Sequence, residues 1–413
     1  MSDWFSMAGL GVFVHWGHSS ARGWELSWPL AGGIPVLPYC QDIPVEEYQH
    51  NAATFDPAGF DPRELARTIK KMGATYTVFT TKHHDGFAMY PTRYSDFSIA
   101  NTPYGRDILG PFIDAARSEG LRIGLYFSLI DWHHPDYPPF TDADKPYNIL
   151  KRRRHPKERW PSFLEFMTGQ IRELLTWYGK IDLIWFDGAW ERSRREWRPR
   201  ELAKMIRSLQ PGILINDRLP GQGDFTTPEQ FIPHKPPRGK WETCMTMNES
   251  WGYNPSDRDY KSVRDIVHNL CEVTAKGGNL LINLSPRGDG TLPPEQVERA
   301  EGVGKWMERN GESIVGTRPG LAPWQFYGPS TRRKKHVYLH LLYRPYETVK
   351  VRGIPVRRVR SATVLGSGKQ LEFTKRISVR DEIIHRPWPK GELTIRVPEE
   401  ELDPLATIVA VEF

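Results

Sequence analysis

In Ile181-Asp-Leu-Ile-Trp-Phe-Asp-Gly-Ala-Trp190 a short apolar run, Leu183 to Phe186, leads directly into a carboxylate. A continuous apolar run of this length is the pattern of a strand buried on both faces of a parallel sheet. Asp187 closes the run and Gly188 follows, a residue at which the chain can turn sharply. A carboxylate is costly in a core but suits a barrel mouth, where the ends of several strands converge. Read alone, Asp187 serves equally well as a cap on the next loop. Its meaning depends on what the neighbouring strands carry.

Outward from this run the chain keeps one rhythm. Pro161 to Tyr178, with Phe163, Phe166, Ile171, Leu174 and Leu175, has helical spacing and feeds the strand; Pro199 to Leu209 is the helix after it. Strands are expected at Leu10–Gly17, Tyr76–Thr81, Arg122–Ser128, Gly212–Arg218, Trp241–Thr246 (as strand six) and Asn279–Ser285. Helices are expected between most of them. The first is punctuated by Asp61 as cap, Pro62 at its first turn and Gly73 as stop. Seven strands alternating with helices up to about residue 310 predict a somewhat irregular (β/α)8-like barrel, with an eighth strand irregular or hidden near 314–326. After about 318 the texture changes to short strands, as in His336–Tyr343, Leu393–Val397 and Thr407–Val411. These predict a small antiparallel β-sandwich. The expected division is a catalytic barrel over 1–317 and a sandwich domain over 318–413.

Composition narrows the class. Lys and Arg number 56 against 50 Asp and Glu, leaving +6 over 413 residues. The basic runs Lys151-Arg-Arg-Arg154 and Arg332-Arg-Lys-Lys335 therefore read as solvated surface, and no nucleic-acid partner is expected. No segment approaches the apolar length of a membrane span. Cys40, Cys244 and Cys271 form neither a disulfide framework nor a CxxC metal pattern. Leu10-Gly-Val-Phe-Val14 is too short for a signal peptide. A cytoplasmic location is expected, or an extracellular or periplasmic one for a chain trimmed of its leader.

Polar residues gather at the C-terminal ends of the expected strands: His15, His83, His84, Tyr126, Asp187, Arg218 and, in the loop beyond, Glu229. The strand starts carry few such groups. In a barrel this asymmetry marks a substrate site, because the loops after the strands share one face. Paired carboxylates with neutral donors, and no phosphate-binding loop, fit glycoside hydrolysis. One carboxylate stands beside the anomeric carbon while a carboxylic acid protonates the leaving oxygen. A zinc site built from His15, His83, His84 and Asp187 is the other physical reading. Against it, adjacent histidines on a strand point to opposite faces unless the strand breaks there.

Phe13-Val-His-Trp-Gly17, Thr81-Lys-His-His-Asp-Gly-Phe87, Gly124-Leu-Tyr126, Trp185-Phe-Asp187, Asn216-Asp-Arg218, Trp241-Glu242, Ser250-Trp-Gly-Tyr253 and Lys276-Gly-Gly-Asn-Leu-Leu-Ile-Asn283 through Asp289-Gly290 occur in this order. Together they resemble the α-L-fucosidases of glycoside hydrolase family 29. The resemblance implies a (β/α)8-like barrel with a β-sandwich. It implies retaining, exo-acting hydrolysis of terminal α-L-fucosyl residues through a covalent glycosyl-enzyme, on a fucosylated oligosaccharide or glycoconjugate, with no metal and no cofactor.

Position by position, Asp187 is implied as nucleophile and Glu229, in Thr227-Pro-Glu-Gln230, as acid/base, with Glu242 as the rival. His15, His83, His84, Tyr126, Trp185, Arg218 and Trp251 match positions lining the fucose pocket. The family's Glu-Trp pair after the first histidine is represented here by Trp24-Glu-Leu-Ser-Trp28. Glu25 is thereby implied on the sugar hydroxyls, and Trp28 or Trp24 as the aromatic. The C5 methyl of fucose would meet Trp251 or Trp185. A non-catalytic fucose-binding protein on the same fold is the competing reading; the intact Asp187 and Glu229 speak against it.

Overall fold

The computed structural model describes residues 3–149, 153 and 159–413. Lys151, Arg152 and Arg154 of the first basic run lie outside them. Eight parallel strands form the barrel: β1 (Leu10–Val14), β2 (Tyr76–Lys82), β3 (Arg122–Ser128), β4 (Leu183–Asp187), β5 (Leu214–Ile215), β6 (Phe225–Thr226), β7 (Lys240–Met245) and β8 (Asn279–Leu284). Their order in the sheet is β5-β4-β3-β2-β1-β8-β7-β6. A parallel bridge from Asn216 to Phe225 joins the two ends, so the sheet closes on itself. Outside the strands run α1 (Val45–His50), α2 (Pro62–Lys71), α3 (Leu109–Ser118), α4 (Trp160–Trp177), α5 (Pro199–Leu209), α6 (Val263–Ala275) and α7 (Pro294–Asn310). Asp61 caps α2 by accepting from the amides of Arg63 and Glu64, with Pro62 at the first position.

The sixth strand corrects the sequence reading. Trp241 to Met245 belongs to the seventh strand, and the sixth is the two-residue Phe225–Thr226. So short a strand carries no apolar run to detect. It is held by its neighbours, pairing Phe225 with Lys240 and Thr226 with Trp241. The segment near 314–326 contributes instead to the C-terminal sheet, at β9 (Arg318–Pro319). No helix separates β5 from β6 or β6 from β7. The Gly- and Pro-rich loops there leave this side of the mouth built of irregular chain.

The barrel interior is filled by side chains crossing it. Tyr76 reaches from β2 to Glu242 on β7, and Gly11 makes room: a Cβ there would lie 2.3 Å from the Tyr76 ring. Two antiparallel sheets follow the barrel. The five-stranded one contains β9, β10 (Ser330–Arg333), β11 (His336–Leu341), β13 (Ser361–Val364) and β16 (Thr407–Glu412); β12 (Thr348–Pro355), β14 (Phe373–Ile377) and β15 (Lys390–Arg396) make the other. A short helix, α8 (Val379–Ile383), lies between β14 and β15. Strand alternation lets the five-stranded sheet serve two cores. Leu339 and Val409 pack with Val351, Leu393 and Ile395 between the sheets, while Tyr338, Ile408 and Ala410 face the barrel core.

Candidate active site

The ends of β4 and β5 place one cation between two carboxylates. Ser128 of β3 is in register with Asp187, so Asp187 sits at the barrel rim, 9% exposed. Asn216, just past β5, accepts from the Phe186 amide (2.8 Å) and donates to the Phe186 carbonyl (2.9 Å). That double grip fixes the peptide before Asp187. Tyr126 donates its hydroxyl to Asp187 Oδ2 (3.1 Å), and Arg218 Nη1 meets Oδ1 at 3.0 Å. The other arm of the same guanidinium, Nη2, meets Glu229 Oε2 at 2.6 Å. Arg218 is steadied by Nε donating to Thr227 Oγ1 (3.2 Å) and lies over the Trp185 ring, 4.4 Å from its centroid. A planar fork is the group suited to bind two carboxylates at once.

The two candidate glutamates separate here. Glu229 is carried beside β7: the amide of Cys244 donates to Pro228 (3.1 Å) and that of Gln230 to the Cys244 carbonyl (2.9 Å). Its side chain is 38% exposed and faces the Arg218 side of the mouth. Glu242 is 0% exposed inside the barrel, with one oxygen taken by Tyr76 and the other by Trp185 Nε1 at 2.8 Å. Burial raises its carboxyl to about 7. Glu242 therefore organises the interior and does not reach the mouth. The same bond corrects the reading of Trp185: its ring is covered by Arg218 and stacked on Tyr126 (5.6 Å, 24°), so it forms a floor under other groups and no free sugar face.

The histidines converge because β2 stops at Lys82, so His83 and His84 leave the alternating pattern. Their rings lie 4.1 Å apart, and His15 is 5.9 Å from His83. Gly86 makes the turn possible: its φ is +86°, and a Cβ there would meet Asp131 Oδ1 at 2.2 Å. That aspartate is paired with buried Lys82 at 3.1 Å. The hydrogen-bond network sets two tautomers. Asn283 donates its amide nitrogen to Trp251 O (2.7 Å), so its oxygen faces His15 and takes the Nδ1 proton (2.7 Å). Ser128 donates to Ile130 O (2.8 Å), so it accepts from His84 Nδ1 (2.7 Å). Both histidines therefore carry a bare Nε2. Burial lowers their pKa values to about 4 and about 3, which leaves neutral acceptors. His83 Nδ1 is bound to Ser27 Oγ at 2.7 Å. The break in β2 removes the geometric objection to a shared ion, yet among the described residues no group of three or more His, Cys, Asp and Glu is placed to hold a metal.

The loop after β1 supplies the rim. Trp28, 7% exposed, packs against His84 (5.2 Å) and runs nearly parallel to Trp190 (6.5 Å, 12°). Trp24 lies elsewhere, stacked on Tyr48. Trp251 packs on His15 at 4.8 Å. Glu25 departs from expectation: both of its oxygens accept backbone amides and it is fully buried, out of reach of a sugar hydroxyl. Sequence reasoning missed Asn216, Asn283, Ser27 and Trp190. The two asparagines each end an apolar run, a signal of the kind that marked Asp187. Ser27 has no local signal: its φ of 64° is imposed by Tyr48, His83 and Asp85 around it.

The sequence profile of the family described as Alpha-L-fucosidase matches residues 1–312. Alpha-L-fucosidase of Dictyostelium discoideum is 28% identical over 395 residues, covering 89% of this chain and 83% of that protein. Human (Homo sapiens) tissue alpha-L-fucosidase is 31% identical over 344 residues, covering 78% and 71%. Among solved structures, alpha-L-fucosidase isoenzyme 1 from Paenibacillus thiaminolyticus superposes with a TM-score of 0.84 at 34% identity, over 99% of this chain and 97% of that one. An alpha-L-fucosidase from Bacteroides thetaiotaomicron, captured as a trapped covalent intermediate, gives 0.82 at 28% identity, over 98% and 95%.

Proposed function

The chain belongs to the α-L-fucosidase family, and we propose that Asp187 is the nucleophile and Glu229 the acid/base of its reaction. The enzyme is a retaining glycoside hydrolase that releases terminal α-L-fucosyl residues from glycans by double displacement. The observation that carries the residue assignment is the Arg218 fork, which joins Asp187 to Glu229 and, among the described residues, to no other glutamate.

In the first step Asp187 attacks the anomeric carbon as the glycosidic bond breaks, and the carboxylic acid of Glu229 gives its proton to the departing oxygen. In the second, Glu229 as carboxylate takes a proton from water, which attacks the same carbon and frees Asp187. Tyr126 and Arg218 hold Asp187 in line by its two oxygens. His84 Nε2 is 3.7 Å from Asp187 Oδ2, so this acceptor lies beside the attacked carbon and is suited to a hydroxyl on the neighbouring carbon. Hydrogen bonds of that kind strengthen in the transition state. Neutral imidazole acceptors match a sugar's hydroxyl donors and offer no charge to an anion. Trp28 and Trp251 supply the apolar walls, and the substrate is a fucosylated oligosaccharide or glycoconjugate.

The test is covalent trapping. A 2-fluoro-fucosyl fluoride should add one fluorofucosyl unit to the intact protein, and peptide mass spectrometry should place it on Asp187. An adduct on another residue, or one that persists in Asp187→Ala, overturns the assignment.

A further inference from the structure

The loops after β1 and β7 are locked together by one buried carboxylate. Glu25 Oε1 accepts from the amides of Leu26 (2.8 Å) and Gly252 (2.6 Å), and Oε2 from the amide of Trp251 (2.9 Å). Among the described residues no cation pairs with it. Burial raises its carboxyl to about 7 while the amides oppose the shift. The loops approach so closely that a Cβ at residue 252 would sit 2.9 Å from the Leu26 nitrogen, which is why Gly252 is there.

The same tryptophan is gripped from its other side. The Trp251 carbonyl accepts from Asn283 Nδ2 (2.7 Å), and the Asn283 oxygen is what holds the His15 Nδ1 proton (2.7 Å). The Trp251 ring in turn packs against the His15 ring at 4.8 Å. Glu25, Trp251, Asn283 and His15 therefore form a closed set of contacts, in which one pocket wall and one pocket acceptor share their supports. Glu25 meets the pocket through this set and, by the Leu26 amide, through the chain that carries Ser27 to His83.

We infer that Glu25 is a positioning residue: it sets the Trp251 wall and, through Asn283, the outward acceptor of His15, and so governs how well the pocket tells one sugar from another. The place asks for a carboxyl group, both of whose oxygens can accept. Glutamine offers a single acceptor oxygen and would turn its NH2 toward a backbone N–H, donor against donor. The inference rests on the proposed fucosidase site and deepens it.

Matched aryl α-L-fucosides and α-L-galactosides, which differ only in a methyl or hydroxymethyl at C5, read the effect. Glu25→Gln is expected to melt cooperatively, to lower the fucoside/galactoside ratio of kcat/KM by about threefold or more, and to do so chiefly by raising KM for the fucoside. Trp251→Ala should narrow the same ratio. In the double variant the Glu25 change should add clearly less than it does alone, because one of its routes, the Trp251 ring, is already removed. Asn283→Ala, which releases the other end of the same residue, should also narrow the ratio, and it decides the question if Glu25→Gln does not fold. An unchanged ratio in a folded Glu25→Gln, full additivity in the double variant, or an unchanged ratio in Asn283→Ala overturns the inference. A wild type inactive on both glycosides overturns instead the functional reading beneath it.

Discussion

Arg218 Nη2 lies 2.6 Å from Glu229 Oε2, so the proposed acid enters the reaction as half of an ion pair. For Glu229 to reach the leaving oxygen this contact has to open, and a side chain 38% exposed has room to turn. Glu242, locked between Tyr76 and Trp185, has no such freedom.

Glu229→Ala is expected to slow fucosides with poor leaving groups by roughly 10²–10⁴-fold and aryl fucosides with good ones far less. Plotting log kcat/KM against leaving-group pKa gives the answer as a steeper slope. Glu242→Gln should instead lower the melting temperature and leave that slope as in the wild type. If Glu242→Gln steepens the slope and Glu229→Ala does not, the two roles have been exchanged.

Asp187→Gly should keep the fold, since the residue is at the rim with its peptide fixed by Asn216, yet cut turnover roughly a thousandfold or more. Azide should restore part of the activity and yield the inverted glycosyl azide. Near-normal turnover in this variant would remove Asp187 from the mechanism.

Arg218→Lys keeps the charge and loses the fork. A lysine reaches one carboxylate at a time, so Asp187 loses its cation whenever the ammonium turns to Glu229; one charge-assisted hydrogen bond to the nucleophile is worth about 1.5–3 kcal/mol, or roughly 10–100-fold in kcat/KM. Wild-type kinetics in Arg218→Lys would show that bridging the two carboxylates is incidental.

Stability should fall on the acid side of neutrality. Burial lowers His15 to about 4 and His18, His84 and His340 to about 3, and pushes His83 down as well. Each stays neutral in the fold while its unfolded counterpart takes up a proton below about 6.5, so stability is lost as pH falls through that value. Glu25 and Glu242, raised to about 7, and Asp85, raised to about 6, act in the opposite sense, being best tolerated at low pH and losing their contribution as pH rises through those values. Asp107, also raised by burial, joins the carboxylates, but the shifted histidines outnumber them, so unfolding near pH 5.5 takes up protons on balance. His133 and His134, also lowered by burial, add to the histidine side. The melting temperature should therefore drop between pH 7 and pH 5; a rise over that interval would contradict these burial effects.

Much of this protein was readable before folding was considered, and for one reason. A strand buried on both faces must be apolar along its own length, and a helix must be punctuated at its own ends, so β1 to β4, β7, β8 and the cap at Asp61 leave local marks. The strand-end polar residues were visible by the same logic, because each stands where an apolar run stops. Two-residue β6 had no such mark and exists only by pairing with β7 and bridging Asn216. Nor could local pattern distinguish the glutamates, since Glu242 is withdrawn from the mouth by partners 166 and 57 residues away. Glu25 turned from an expected sugar ligand into a support for Trp251, 226 residues distant. Local periodicity reports which face of an element is buried. Which hydrogen bonds a buried polar group has already spent depends on what the closed barrel brings beside it, and that decides whether the group reaches substrate.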